Sequence, residues 1–240
     1  MIKIYATIIL FFLSLSFGMA QDLELANNYY TQGEYDKANE IYKKLSHNKS
    51  MAIQIHDNYL GCLYKIKDYD SAEKFLKTQI KNNENNIEYK AQIAQLFEIS
   101  GQTAKANAEY QKVINIGAQY ENLMFELHNF FYKTDQIDKV IKLIETARIS
   151  QKSPNKYQSF LARAYLYNGQ KDKMMDELLN YGVQEPLNIN YVQMNVQDNI
   201  KTEEETAMFE TKVYDRIQAD PNQSFYNELL VWYFTQKSDF

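Results

Sequence analysis

The feature that most constrains this chain is a helical pattern that returns every 34 residues. At its first occurrence, the turn 33–36 precedes Ala38, Tyr42 and Leu45, which have the i, i+4, i+7 spacing of one buried helix face. The small residue of that face recurs at the same step, as Ala38, Ala72, Ala106, Val140 and Met174. A fixed step of this length predicts stacked, repeated helical units, each of which buries its apolar face against its neighbours.

The composition agrees with an all-helical chain. Only 7 Gly and 3 Pro occur in 240 residues, so long helices are rarely interrupted. No segment combines β-branched or aromatic enrichment with strand-like alternation between the helical stretches. We therefore expect an all-α fold without the strands of an α/β protein.

Each unit also resembles the tetratricopeptide repeat (TPR), a helix pair with a tight Gly-acidic-aromatic turn and a small residue in the second helix. The first unit carries Gly33-Glu34-Tyr35 and Ala38, and the third carries Gly101 and Ala106. Lys67 and Asp135 occupy the glycine position of the second and fourth units. The resemblance, to TPR proteins of the exported bacterial type, implies a right-handed superhelical solenoid of antiparallel helix pairs.

The period divides residues 21–240 into a TPR-like array that follows a leader, residues 1–20. The predicted units are 19–52, 53–86, 87–120, 121–154, 155–188, a divergent unit 189–223 and a half unit 224–240. In the divergent unit, Thr202 and Glu205 form a capping-box pattern that predicts a helix start, followed by a buried stripe of Phe209, Val213 and Ile217.

Residues 1–20 have the pattern of a cleaved signal peptide. Lys3 is a short basic region, residues 4–17 are apolar, and Gly18-Met19-Ala20 is a small-x-small cleavage site. The alternative, an uncleaved membrane anchor, is less favoured because the apolar run is short for a bilayer. The sequence thus predicts an exported protein, either periplasmic or extracellular.

Several function classes are disfavoured. The formal net charge of −5, without a compensating basic block, argues against a nucleic-acid surface. Cys62 is the single cysteine and falls among core positions, and the three histidines lack the spacing of a zinc site. No phosphate loop or nucleophile elbow is present, so we expect no catalytic residues, metal, cofactor or small-molecule substrate, and no enzyme.

The resemblance implies a concave groove lined by first-helix residues that are not needed for the core. The candidates for binding a protein or peptide partner are Asn27, Tyr30, Asp57, Tyr64, Lys65, Gln95, Asn129, Tyr132, Arg163 and Tyr167. Tyr and Arg combine apolar area with a polar tip and are favoured at binding hot spots. Any one Tyr could equally pack along its own helix, so the set is better evidence than a single member.

Three hypotheses follow. The first is a non-catalytic scaffold that binds a protein or peptide in the cell envelope or outside the cell. The second is the extracytoplasmic sensor region of a longer signalling protein, such as a membrane histidine kinase. The third is self-association through Leu230, Trp232 and Phe234 of the half unit, which has no second helix in this sequence.

Overall fold

A computed structural model describes residues 18–238 of the chain. The predicted leader lies outside the described residues except for its last three positions. The described part of the chain divides into two compact units, residues 18–113 and 114–238. The described residues are helices joined by short turns, as the all-α prediction requires.

The first unit contains two complete helix pairs and the start of a third. Its helices are α1 (residues 18–31), α2 (Tyr35–Leu45), α3 (Lys49–Gln54), α4 (His56–Lys65), α5 (Tyr69–Asn82) and α6 (Ile87–Ile99). Helix α7 (Thr103–Gly117) contains the division between the units. Helix α4 packs against both α2 and α5, so that the second helices of successive pairs flank it.

The second unit continues the alternation of first and second helices. Its helices are α8 (Glu121–Lys133), α9 (Ile137–Ser150), α10 (Gln158–Tyr167), α11 (Lys171–Gly182), α12 (Asn188–Asn199), α13 (Glu203–Ala219) and α14 (Ser224–Ser238). Helix α10 packs against both α9 and α11, and α14 packs against α12 and α13.

The small residue that defines the period is buried in every unit. The exposed fraction is 1% or less at each of Ala38, Ala72, Ala106, Val140 and Met174. The short side chain of Ala38, Ala72 and Ala106 lets helices approach closely at this position, whereas the fourth and fifth pairs bury the larger Val140 and Met174 there. The 34-residue period therefore marks the packing seam within each pair.

The turn between the paired helices repeats with the same backbone geometry. The residue at the glycine position has a positive φ in the first five pairs, as the series Gly33, Lys67, Gly101, Asp135 and Gly169 shows. The pair α12–α13 differs, because Ile200 follows α12 with an extended backbone at a φ of −104°. In the first turn, the Gly33 amide donates to the Tyr30 carbonyl at 3.1 Å and the Glu34 amide to the Tyr29 carbonyl at 2.9 Å. These two bonds form a Schellman motif, which satisfies carbonyls at the end of the first helix.

The first helix of the second pair is broken, which the sequence pattern does not indicate. Ile55 separates α3 from α4 with a turn and is itself 1% exposed. Asn48 caps α3 because its side-chain oxygen accepts from the amides of Ser50 and Met51 at 3.0 and 3.1 Å. The boundary expected between residues 52 and 53 therefore falls inside a short helix.

The capping box of the divergent unit is confirmed. The Glu205 amide donates to the Thr202 hydroxyl at 3.2 Å, and the Thr202 amide donates to the Glu205 carboxylate at 3.1 Å. Phe209 and Val213 of the predicted stripe are buried, whereas Ile217 is partly exposed.

The last helix, α14, packs on its upstream neighbours with a face that does not contain the predicted self-association residues. Phe225, Tyr226, Leu229 and Tyr233 are buried, and the Tyr233 ring lies 4.9 Å from the Phe209 ring. Leu230 and Trp232 are partly exposed and Phe234 is 38% exposed. The residues predicted for self-association therefore lie beside the buried face of α14, which already packs on its upstream neighbours.

Ion pairs also join the second helices of the second unit. Arg148 makes a bidentate pair with Glu177, with nitrogen–oxygen distances of 2.8 and 2.7 Å, and both side chains are largely buried. Asp176 similarly receives Lys212 at 2.7 Å and Arg216 at 2.9 Å. A paired fork of this kind is geometrically specific, so it fixes the register of α9 against α11.

Across residues 18–238, no helix has both the length and the apolar composition needed to cross a bilayer.

Lys67 tests the energetic cost of the turn. It holds a φ of 60° without glycine's freedom, and its side chain is exposed. We expect Lys67→Gly to raise the free energy of unfolding by about 0.5–1 kcal/mol, because relief of the strained backbone exceeds the added entropy of the unfolded chain. Urea unfolding followed by far-UV circular dichroism measures the change.

The matched control is Lys77→Gly within α5, which should lower the free energy of unfolding by about 1 kcal/mol. Equal destabilisation by both glycine substitutions would contradict the assigned left-handed conformation.

Candidate functional site

Two first helices of the second unit present side chains at the same spacing. Both use positions i, i+3 and i+7, which lie on one side of a helix. The six residues are Phe125, His128 and Tyr132 on α8, and Phe160, Arg163 and Tyr167 on α10. Their step between the helices is 35 residues, one more than the step of the core.

The rings of these residues form a continuous series that we call the aromatic row: Phe125, Phe160, His128, Tyr132 and Tyr167. Successive ring centroids are 5.5, 5.2, 4.7 and 6.1 Å apart. These are the separations at which aromatic pairs stabilise each other in edge-to-face or tilted arrangements. The row thus joins α8 to α10 along a face that also reaches solvent at Phe160 and Tyr167, which are 36% and 67% exposed.

A pocket of about 320 Å³ opens at one end of the aromatic row. It is lined by Tyr132, Asp135, Ile137, Arg163 and Tyr167. The Arg163 guanidinium makes no ion pair or hydrogen bond with any described residue, although it is always charged. An unpaired guanidinium between two phenol rings can take a carboxylate or stack on an aromatic side chain of a ligand.

Three predicted groove residues therefore lie together. Tyr132, Arg163 and Tyr167 line this pocket, and the Asn129 side-chain oxygen lies 3.2 Å from Nδ1 of His128 in the aromatic row.

The predicted groove residues of the first unit are more dispersed. The Asn27 side-chain oxygen accepts from the Tyr42 hydroxyl at 2.6 Å and from the Asn58 amide at 3.1 Å, so it joins three helices. Tyr30 lies over Gly61, where an added Cβ would be 2.7 Å from the phenol oxygen. These residues contribute to packing within the repeat.

The remaining candidates of the first unit differ in exposure. Asp57 and Lys65 are exposed, Gln95 is partly exposed, and Tyr64 places its hydroxyl out of reach of solvent. Burial raises the pKa of Tyr64, so its phenol is neutral. Replacing Tyr64 would remove packing as well as a surface group, which makes it a poor probe of binding.

Several residues of the site do not stand out in the sequence. None of the following is among the predicted groove residues: Phe125, His128, Ile137 and Phe160. Asp135 is notable in the sequence only for its place in the turn. In the sequence, the six residues on α8 and α10 are related by an i, i+3, i+7 pattern that repeats after 35 residues. This step differs from the 34-residue period of the core.

Burial controls the ionisation of the two polar rings in the row. Desolvation lowers the pKa of His128, and the nearby Arg163 charge acts in the same direction, against the hydrogen bond to Asn129. Desolvation also raises the pKa of Tyr132, which Arg163 opposes. Both rings are therefore neutral at pH 7, and the buried atoms Nε2 of His128 and the Tyr132 hydroxyl have no hydrogen-bond partner in the structure.

The described residues contain no group of three or more His, Cys, Asp or Glu side chains placed to hold a metal ion. Cys62 is a buried free thiol, and burial raises its pKa to about 12. A thiol in this environment is poorly suited to act as a nucleophile, in agreement with its predicted core position.

No family model matches the sequence, and no curated protein matches it at a significant level. Solved structures do match. A thermophilic TPR protein of Thermus thermophilus is 14% identical with a TM-score of 0.38, over 75% of this chain and 98% of that one. The C-terminal part of a TPR repeat-containing protein from Cytophaga hutchinsonii is 17% identical with a TM-score of 0.36, over 90% and 89%.

A third similar structure is the Cut9–Hcn1 hetero-tetramer of the APC/C. It is 14% identical with a TM-score of 0.36, over 88% of this chain and 42% of that one.

The buried neutral His128 should make stability depend on pH. Its pKa is lowered in the folded state, so the unfolded chain takes up the proton first as pH falls below the ordinary histidine value of about 6.5. The free energy of unfolding should decrease from there until the folded pKa is reached. We expect His128→Phe, which keeps a ring, to lose less stability than the parent protein between about pH 7.5 and 5.5.

Denaturant unfolding at the two pH values measures the loss of stability within each protein. The effect of the substitution on stability at a single pH therefore cancels. An unchanged pH dependence in His128→Phe would contradict the assignment.

The identity of the fold rests on the chain's own geometry: a 34-residue period, a left-handed turn in the first five helix pairs and a buried residue at the matching position of their second helices make this chain a TPR-like helical repeat protein.

Proposed function

We propose that this protein is a non-catalytic scaffold that binds a protein or peptide segment on the aromatic row and its pocket. The observation that carries the proposal is the unpaired Arg163 guanidinium in a pocket walled by Tyr132 and Tyr167. Arg and Tyr are the residue types that most often dominate binding energy at protein interfaces. Stacked helix pairs bind their ligands on extended surfaces of this kind.

The aromatic row supplies contact area beside that charge. Tyr167 is 67% exposed and Phe160 is 36% exposed, so a bound segment could cover both rings. Tyrosine offers a large amphipathic surface at a low cost in side-chain entropy. The pocket, at about 320 Å³, has the size to receive one side chain or chain end of the partner.

The unpaired Arg163 guanidinium favours one ligand class, although the Asp135 carboxylate also lines the pocket. The guanidinium of Arg163 can form two parallel hydrogen bonds with a carboxylate, and the aromatic row beside it favours apolar or aromatic side chains. We therefore expect the bound segment to combine an acidic residue or a free carboxyl terminus with a neighbouring apolar residue.

The place of action proposed is the cell envelope or the extracellular space. This part rests on the sequence pattern of residues 1–20, with one basic residue, an apolar run and a small-x-small site. Amino-terminal sequencing of the protein recovered outside the cytoplasm tests it. An intact Met1 on cell-associated protein would contradict cleavage after Ala20.

Peptide selection tests the binding function before any partner is identified. We expect a random peptide library displayed on phage to yield binders to the purified protein. The affinity of the selected peptides, measured by fluorescence polarisation, should fall at least about tenfold in Arg163→Ala/Tyr167→Ala, because both substitutions remove hot-spot contacts. Far-UV circular dichroism should be unchanged, since both side chains are exposed.

The matched control is Lys142→Ala/Ile149→Ala on α9, which also removes one cation and one exposed apolar side chain. It should leave the affinity within about twofold, as expected for substitutions outside the contact. Selected peptides that bind both double variants equally would overturn the assignment of the aromatic row as the binding surface.

A further inference from the structure

A second cleft lies in the first unit, on the side formed by second helices. It has a volume of about 490 Å³ and is bounded by the C-terminal end of α2, the start of α3 and one face of α5. Helix α4 lies beneath it and contributes Tyr59. None of the residues that line this cleft belongs to the predicted groove.

The rim of the cleft is basic. Lys43, Lys49 and Lys74 line it together with His47, and no described Asp or Glu side chain is part of the lining. None of the three ammonium groups forms an ion pair within residues 18–238. The rim of the cleft is therefore positively charged in a chain whose formal net charge is −5. Three unpaired ammonium groups at the border of one cleft create a positive potential that attracts anions.

Two further donors lie on the α5 wall. The Ser71 hydroxyl and the Asn82 amide both line the cleft, and neither makes a side-chain hydrogen bond in the described part of the chain. Each can donate to an oxygen atom of a ligand. The cleft thus offers neutral as well as charged donors to an anion.

The floor of the cleft is aromatic. The rings of Tyr59 and Phe75 meet edge to face with centroids 4.8 Å apart, and these residues are 4% and 7% exposed. The aliphatic stems of the lysines extend this apolar surface while their charged ends stay in water. An apolar body can therefore lie on the floor while its charged group reaches the rim.

We propose that this cleft binds a phosphate-bearing ligand that has an apolar or aromatic body. A phosphate monoester carries close to two negative charges at neutral pH and presents several acceptor oxygens, which match three lysines and two neutral donors. The cleft is much larger than a phosphate ion and falls within the usual range of small-molecule sites. The ligand is either a soluble organic phosphate or the head of an anionic phospholipid.

Phenyl phosphate is the first probe, because it has one aromatic ring and one phosphate. Isothermal titration calorimetry on the purified protein should show binding that weakens with added salt, since the lysines are at the surface. Inorganic phosphate should bind more weakly, since it lacks the ring that contacts the floor. Equal affinities for phenyl phosphate and inorganic phosphate would contradict the proposed contact between an apolar body and the aromatic floor.

Two double variants locate the site. Lys43→Gln/Lys74→Gln removes two rim charges and should weaken phenyl phosphate binding about tenfold. Lys44→Gln/Lys77→Gln makes the same change in net charge on the same two helices, at residues that do not line the cleft. This control should change the affinity less than about twofold. Equal losses in both variants would show a general charge effect and overturn the site.

Sedimentation with vesicles separates the two sources of phosphate. Pelleting with vesicles of phosphatidylglycerol and phosphatidylcholine, but not of phosphatidylcholine alone, would identify a lipid head, provided that Lys43→Gln/Lys74→Gln abolishes it. Binding of phenyl phosphate without pelleting would identify a soluble ligand. No binding of either probe would overturn the proposal, and it would leave the function proposed for the aromatic row untouched because the two sites share no residues.

Discussion

The left-handed residue that closes the first helix in five of the six described helix pairs is the constraint on which the repeat depends. Each of the five, from Gly33 to Gly169, reverses the chain and satisfies helix-end carbonyls through the Schellman hydrogen bonds. The buried small residue always follows it by five positions, as in Lys67 and Ala72. Because that spacing is constant, the turn sets both the direction of the second helix and the side chain it places against the first. If the number of residues between the turn and this buried position changed by one, the buried face of the second helix would rotate by about 100°.

Only one side of each first helix packs into the core. The side chains outside the core have different roles in the two units. In the first unit, Asn27 and Tyr30 hold helices together through hydrogen bonds and a close approach to Gly61. In the second unit, the corresponding side of α8 and α10 carries the aromatic row, with the Arg163 charge left without a partner. The same architecture thus uses this side of the first helix for packing in one unit and exposes it in the other. It can do so because the residue buried at the 34-residue period already holds the paired helices together.

The sequence was a good guide wherever the physics is local. The 34-residue period, the turns at Lys67 and Asp135, and the Thr202 capping box all depend on residues close along the chain, and the structure contains each of them. The candidate site was found in part, through Tyr132, Arg163 and Tyr167. The rest of it was missed because Phe125 and Phe160 contact each other across a 35-residue step that differs from the core period. The Arg148–Glu177 pair and the break at Ile55 were missed for a related reason, since both depend on how neighbouring helices meet.

Asp135 belongs to two of these features at once. It adopts a left-handed backbone with a φ of 56° at the turn, and its side chain lines the pocket that contains Arg163. Glycine at this position would relax the backbone, yet it would also remove the only acidic side chain from the described lining of that pocket. If the pocket binds the proposed segment, backbone stability and the acidic lining of the pocket therefore depend on opposite choices at this single position, as strained residues at functional sites often do.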